Sequence, residues 1–440
     1  MRVLECARRV RPLGWLAGIG LDLELDLGRS VSLMPLPRAL RHRDYAMLWS
    51  GQTVSVVGDG VYTVAIALEA LRISDHASAL AYVEAARVAP NALLLLFTGA
   101  LTDRLPRRLV VLGANIARGA AVAALALLVV AHALNLAELA LLSAVVGAGD
   151  AFFYPAYRAI MPELLPADLL TQGNAFNSAS QTVGASFLGP ALGGLLVAAG
   201  GTSAAFSADA ATFVVSALCL IPMAHVPAPA RSGRSVVADA RHGFRWTMRQ
   251  RWLWYGIIAA GLANFAGFSP TAVTMPLLVR DVLHQGPAAY GATFAAAGAG
   301  GLAAAAVAGR LGSPRRRMSM IFAAWAAAAV ALAGIGLAPD VVVVAVCGAV
   351  TYFGLTYGNL LWGALMQMAV PPDMLGRASS VDWLFSISLS PLGVLFAGAL
   401  ASSIGVRETL LVGAAVSALS CLVVFVPGVR DPERPDYAPC

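Results

Sequence analysis

Lysine is absent, and all 30 basic residues of the 440 are arginine, a bias that suits a GC-rich bacterial genome. Charge of either sign is scarce. Only 12% of the residues are charged, where a soluble globular chain carries about 25%. That shortage excludes a soluble enzyme, a disordered chain and a nucleic-acid binder. Cysteine is sparse as well. Cys6, Cys219, Cys347, Cys421 and Cys440 fall in the tails or inside apolar runs and form no CxxC, so neither a disulfide framework nor a metal site follows. His42, His76, His132, His225, His242 and His284 lie in tails, loops or at the ends of apolar runs. A membrane enzyme built on buried imidazole ligands is therefore not expected.

What the chain has is apolar length: 59% of it is hydrophobic. A helix crossing a bilayer uses about 20 consecutive apolar residues. Runs broken by short polar or Gly/Pro punctuation predict twelve spans, at about 45–70, 78–101, 109–131, 136–157, 173–199, 203–224, 252–280, 287–309, 317–338, 340–367, 378–402 and 406–427. The expected fold is all-α and integral to the membrane. Basic loops stay on the cytoplasmic side. Starting inside places 25 arginines in inner segments and only Arg72, Arg280 and Arg407 in outer loops. Both termini are then cytoplasmic, in the inner membrane of a bacterium.

Internal repetition refines this reading. Pro106-Arg107-Arg108 recurs as Pro314-Arg315-Arg316, and Pro166-Ala-Asp168 recurs as Pro371-Pro-Asp373, at nearly equal offsets. Two pseudo-symmetric six-helix bundles follow, as in transporters built from packed repeats. The expected organisation is a cytoplasmic segment 1–44, a first bundle 45–224, an Arg-rich linker 225–251, a second bundle 252–427 and a tail 428–440. Residues 1–33 make neither a signal peptide nor a span. They read as a disordered extension, with Met34 as an alternative start.

The loop after the second span reads Gly99-Ala-Leu-Thr-Asp103-Arg104-Leu-Pro-Arg107-Arg108. It resembles the signature loop of the major facilitator superfamily, with Pro106 where that family has Gly. The resemblance implies a gating role in which Asp103 pairs across the bundles and locks one of two rocking states. A plain positive-inside loop would carry the same arginines. Gly184, Gly189, Pro190, Gly193 and Gly194 resemble the motif of the superfamily's proton-coupled antiporters. Small residues there let helices approach closely and Pro190 permits a bend. A wider stretch, Tyr154 to Gly194 with Arg43-Asp-Tyr and Gly58-Asp59, resembles the branch holding macrolide and enterobactin exporters.

Intramembrane charges cost about 2.5–3.5 kcal/mol at a span's centre and are usually functional. Counting from the span ends places Asp59, Glu84 and Arg87 at one level toward the outer face. That trio is the expected proton-coupling site, with a static charge cluster as the alternative. Arg118 and Asp150, nearer the inner face, read as a structural pair. Asn174, Asn177 and Gln181 share a face of span five, and Asn264, Phe265 and Phe268 offer a counterpart in span seven. Amides among aromatics suit an amphipathic cargo, although hydrogen bonds between helices would use the same residues. Glu69 and Asp382, near span ends, are expected to reach water.

The expected activity is secondary active export of hydrophobic or amphipathic small molecules, drug- or macrolide-like, by proton antiport and alternating access. An endogenous metabolite such as a siderophore would need the same cavity. No convergent nucleophile, base or metal cluster points to an enzyme, and no long loop supplies the sensory domain of a non-transporting receptor. The proton gradient is the driving force and no cofactor is expected. The expected partners are the small-molecule substrate and the lipid bilayer, with no nucleic acid and a monomeric chain.

Overall fold

The computed structural model describes residues 38–102, 105–223, 236–311, 314 and 316–429. Its helices are α1 Arg43–Ile73, α2 Ala77–Thr102, α3 Arg107–Val130 and α4 Leu136–Leu164, then α5 170–200 and α6 202–220. The second half holds α8 Arg251–Val282, α9 Pro287–Leu311, α10 Arg317–Gly336, α11 Val341–Ala369, α12 372–404 and α13 Val406–Phe425. Between the halves lies α7 Val236–Arg249, so part of the expected Arg-rich linker is helical.

Among the described residues, ten helices are long and apolar enough to cross a membrane, and one of them, Gln172–Leu220, runs 49 residues. That helix is two crossings. Gly201, at φ 74° and ψ −178°, interrupts it in a conformation that side-chain-bearing residues rarely adopt. Before the break, Gly184, Gly189 and Gly193 follow Val56, Gly60 and Val61 of α1 in the same direction. After it, Thr202 bonds Glu69, while Asp209 meets Gly58 and Cys219 meets Gly51, so the chain runs back down α1. With α2, at 26 residues, the total agrees with the expected twelve spans.

Local signals set other boundaries. Asn135 opens α4 by a capping box with Glu138, and the Asp340 carboxylate accepts the first amides of α11, each satisfying donors that the helix leaves free. Both caps sit at the Arg-poor end of the bundle, where a helix N-terminus must face polar surroundings.

The apolar core shows how the halves meet. Toward the Arg-poor end, one buried cluster runs from Val61, Leu80, Leu139 and Phe206 into Val273, Tyr290, Val394 and Leu410 of the other half. Toward the Arg-rich end it divides. One cluster there contains only residues from 252 onward, while two others contain only residues between 39 and 223. Close backbone approaches follow the same division: Gly398 to Ala77, Gly194 to Pro287 and Gly291, and Gly298 to Ser186 at mid-helix. Near the Arg-rich end, Arg158 lies 5.4 Å over the Trp383 ring from the other half. The halves are therefore joined at the Arg-poor end and have separate cores at the Arg-rich end.

Candidate functional site

Asp59, Arg118 and Asp150 each fall at the middle of their helices, α1, α3 and α4. Arg118 Nη1 lies 2.8 Å from Asp150 Oδ1 and 3.9 Å from Asp59 Oδ1. The arginine side chain is fully buried, whereas Asp59 keeps 25% and Asp150 18% of their side chains accessible. Its guanidinium sits 4.4 Å and 4.7 Å from the Phe153 and Phe213 ring centres, and Nη2 donates to Asn115 Oδ1 at 2.6 Å. Asn115 in turn donates to Ser216 on α6 at 3.0 Å.

Glycines make room for this cluster. A side-chain carbon on Gly149 would stand 2.4 Å from Arg118 Cγ, and one on Gly58 would stand 2.3 Å from Asp209 Oδ1. Asp209, on α6, is 1% exposed and feels the charges of Asp59, Arg118 and Asp150. The site thus sets Asp59 and Asp150 against one guanidinium, with the buried Asp209 close by, all within the first half.

Of the expected trio, Asp59 has Arg118 as its ion-pair partner, although Arg87 also acts on its charge. Glu84 and Arg87 pair with each other at 3.0 Å, one turn apart on α2, while Asp59 pairs with Arg118. Counting depth from the ends of 26-residue spans misplaced Asp59. The helix α1 has 31 residues, about 46 Å at 1.5 Å per residue. Such a helix overhangs a core about 30 Å thick, and Asp59 falls at its centre beside Arg118. The Arg118–Asp150 pair forms as expected, but at mid-helix and with Asp59 attached. Asp209 escaped the sequence reading, although a lone acid in the apolar run 203–224 is the signal that singled out the others. Glu69 does not reach water: it is fully buried and bonded to Arg72 and Thr202. Asp382, partly buried, accepts from Trp362 Nε1 at 3.2 Å.

The small-residue motif serves two contacts at once. Gly189 and Pro190 pack on Gly60 of α1, and Gly194 packs on Gly291 of α9 in the other half. Just upstream, Gln181–Leu188 is π-helical, and the Gly189 amide bonds Gly184 O. This is a local widening of the kind a following proline promotes.

The amides expected to line a cargo cavity divide between two roles. Asn177 accepts from Tyr157 at 2.8 Å, and Asn264 donates to the Ser386 carbonyl at 3.0 Å, so both bond neighbouring helices. Asn174 is exposed and Gln181 half-buried. Phe265 stacks on Phe396 at 5.9 Å, and Phe268 lines a cavity of about 50 Å³ inside the second half. Asn264 to Phe268 form another π-helical turn, ahead of Pro270.

Of the signature loop, Asp103 and Arg104 lie outside the described residues, and Gly99 is helical. Arg107 bonds Glu163 and the Ala159 carbonyl of α4. Arg108 donates to the carbonyls of Leu220 and Ile221 at the end of α6. This basic pair therefore ties three helix ends of one half together, and its guanidinia cap carbonyls that the helix would leave free.

Residues 35–440 match the transmembrane secretion effector family of the major facilitator superfamily. The protein belongs to that family. Its known relatives include macrolide efflux protein A of Streptococcus pyogenes, 22% identical over 88% of this chain and 96% of the relative. Another is the multidrug efflux pump Tap of Mycolicibacterium fortuitum, 26% identical over 85% of this chain and 93% of the pump. Among solved structures, a bacterial homologue of the iron transporter ferroportin in an inward-facing state superposes with a TM-score of 0.68 at 18% identity, covering 88% of this chain and 99% of the homologue. A bacterial homologue of the lysosomal transporter Spinster gives 0.67 at 14% identity, covering 89% and 97% of the two chains. The fold is that of a major facilitator transporter, and the protein is a multi-pass membrane transporter.

Proposed function

We propose that this transporter exports hydrophobic or amphipathic small molecules, of the kind macrolides represent, in exchange for protons. The observation that carries the reading is the mid-helix cluster. With Asp59, Asp150 and Asp209 all ionised, Arg118 leaves two negative charges uncompensated in a water-poor setting, which is costly. Taking up one proton relieves part of that cost. Asp59, the most accessible of the three, is where the proton enters and leaves. Efflux activity in the two relatives supports the cargo class.

On this reading the Arg-rich end faces the cytoplasm, as positive-inside asymmetry requires. A shared core at the Arg-poor end then describes a carrier closed to the outside. Since Asp59 and Arg118 both belong to the first half, rocking of the halves does not itself separate them. Rocking instead changes which side of the membrane supplies water and protons to Asp59. The signature loop with Asp103 gates that exchange, and Asn174 with Gln181 offers polar contacts to the cargo.

The test uses purified protein in vesicles with an imposed pH gradient and a labelled macrolide as cargo. Asp59→Asn is expected to abolish gradient-driven accumulation while retaining downhill movement. If Asp59→Asn, Asp209→Asn and Glu84→Gln all pump uphill at the wild-type rate, none of these carboxylates carries the coupling.

A further inference from the structure

We propose that the first half binds a buried file of ordered water on the Arg-rich side of Asp59, and that this water sets how readily Asp59 exchanges its proton. Gln52 Nε2, Ser55 Oγ and Arg118 Nε are buried without a hydrogen-bond partner among the described residues. Gln52 is 5% exposed, and Ser55 and Arg118 are fully buried. Buried polar groups left unpaired are costly and rare, so each calls for a partner. The proton cluster already accounts for Asp59 and Arg118, but it uses neither Gln52 nor Ser55.

The three groups share one seam between α1, α3 and α6. A side-chain carbon on Gly51 would stand 3.2 Å from Ser216 Cα, and one on Gly58 would stand 2.2 Å from Thr212 Oγ1. Ser55 lies between these glycines on the same helical face, so it meets α6 between Thr212 and Ser216. At that level Asn115 donates to Ser216 at 3.0 Å and accepts from Arg118 at 2.6 Å. Gln52 and Asp59 are seven residues apart, hence on one face of α1 and about 10 Å apart along it. Because Asp59 pairs with Arg118, Gln52 stands two turns below that pair, where α3 presents Val111. One turn lower still, Leu48 clusters with Val111, Ala114 and Leu220. Those side chains offer the Gln52 amide no partner, and they seal the seam from the Arg-rich end.

The chemistry of the three groups selects the occupant. Gln52 Nε2 and Arg118 Nε can only donate, so the occupant must accept. Asp59, Asp150 and the nearby Asp209 already load this interior with negative charge, which disfavours an anion. Water accepts from both nitrogens and donates to Ser55 Oγ, and a short file of it reaches from Gln52 to Arg118. The groups that act on the charge of Asp59 are Arg118 on α3, Asp150 and Tyr154 on α4, Arg87 on α2 and Asp209 on α6. Each is held on a helix, whereas water dipoles reorient as Asp59 gains or loses its proton. The file therefore tunes the exchange through Arg118. That role rests on the proton-exchange reading; the water site itself does not.

The site is tested by radiolytic labelling of the purified protein in micelles, in which brief X-ray pulses turn water into hydroxyl radicals that oxidise the side chains beside it. Phe153 and Phe213 flank the Arg118 guanidinium and are buried. They should label at least tenfold faster than Phe322, which is equally buried in an apolar cluster of the second half. Equal rates would overturn the site. Gln52→Leu combined with Ser55→Ala replaces the polar partners by apolar groups of similar or smaller size, so this variant should fold and label Phe153 and Phe213 at the Phe322 rate. Unchanged labelling would place the water elsewhere and overturn the site, and labelling that rises when gluconate replaces chloride would make the occupant an anion and overturn water. Gln52→Asn keeps an amide donor and should label as the wild type does. The role is tested in vesicles with imposed pH gradients and a labelled macrolide. The double variant should move the pH of half-maximal accumulation by about one unit or more, a tenfold change in proton concentration, while keeping downhill movement; Gln52→Asn should hold the wild-type profile. An unmoved profile in the double variant, with labelling lost, would overturn the role. If wild-type vesicles show no proton-driven accumulation, the exchange reading fails and takes this role with it, whereas labelling still decides the water site.

Discussion

Removing the arginine at the centre of the carboxylate cluster should be among the most damaging single changes in the protein. In Arg118→Met the side-chain length is kept while the guanidinium is lost. Three things go with it: the 2.8 Å pair with Asp150, the 2.6 Å bond to Asn115, and the ring contacts at 4.4 Å and 4.7 Å. Two unit charges about 4 Å apart interact by about 4 kcal/mol at an effective dielectric constant near 20. Breaking a buried pair by removing one partner costs about 3–5 kcal/mol, because the other charge is stranded. The two figures agree, so Arg118→Met should destabilise the fold by about 3–5 kcal/mol. Most of that loss lies in the stranded carboxylates, so neutralising one should restore part of it. Arg118→Met combined with Asp150→Asn should recover about 2 kcal/mol relative to the sum of the single changes, well above the coupling of distant sites. The assay is equilibrium unfolding in mixed micelles, as a double-mutant cycle with Asp150→Asn alone. A single-variant cost below about 1 kcal/mol, or coupling below about 0.5 kcal/mol, would refute the cluster as an electrostatic unit.

Other consequences can be checked separately. Gly298→Leu places a side-chain carbon 2.0 Å from the Ser186 carbonyl of the opposite half, whereas Gly363 has open space around it. Gly298→Leu should abolish transport through overpacking of about 1–3 kcal/mol at the joined halves, and Gly363→Leu should transport normally; equal activity would place the contact outside the working cycle. Arg280→Gln removes charge-assisted bonds across the halves worth about 1.5–3 kcal/mol each before solvent screening. A cysteine at Ala77, in a background without native cysteines, should then react with a membrane-impermeant maleimide about tenfold faster; an unchanged rate would show that Arg280 does not restrain this end. Reporter fusions after His132 and within 231–241 should read outside and inside respectively, and the reverse would invert the topology.

The all-helical, membrane-spanning architecture was legible in the sequence because hydropathy acts over whole segments, and the length of a crossing is set by the bilayer rather than by neighbouring helices. Even the break between spans five and six fell where two glycines, Gly200 and Gly201, interrupt the apolar run. The spacing of Gly189, Pro190 and Gly194 was informative for a similar reason. Close helix approach needs small residues whatever the partner, so the motif announced tight packing, and Gly60 and Gly291 are the partners that answer it.

Which charges meet was much less legible, and Asp59 shows why. Depth along a span is a one-dimensional quantity, and an error of a few residues at the boundary moves a carboxylate by several ångströms, enough to trade one arginine for another. Rotation about the helix axis is not encoded in depth at all. Asp59 faces α3 because Gly58 and Gly60 turn the adjacent faces of α1 toward α6 and α5, where Asp209 and Gly189 need the space. The grouping of charges is thus decided by the absence of side chains nearby. A glycine beside an intramembrane acid, as at Gly58-Asp59 and Gly149-Asp150, marks where a second helix comes close enough to deliver a partner. Gly58 admits Asp209 and Gly149 admits the Arg118 stem. One arginine could then collect carboxylates from helices well separated in the chain.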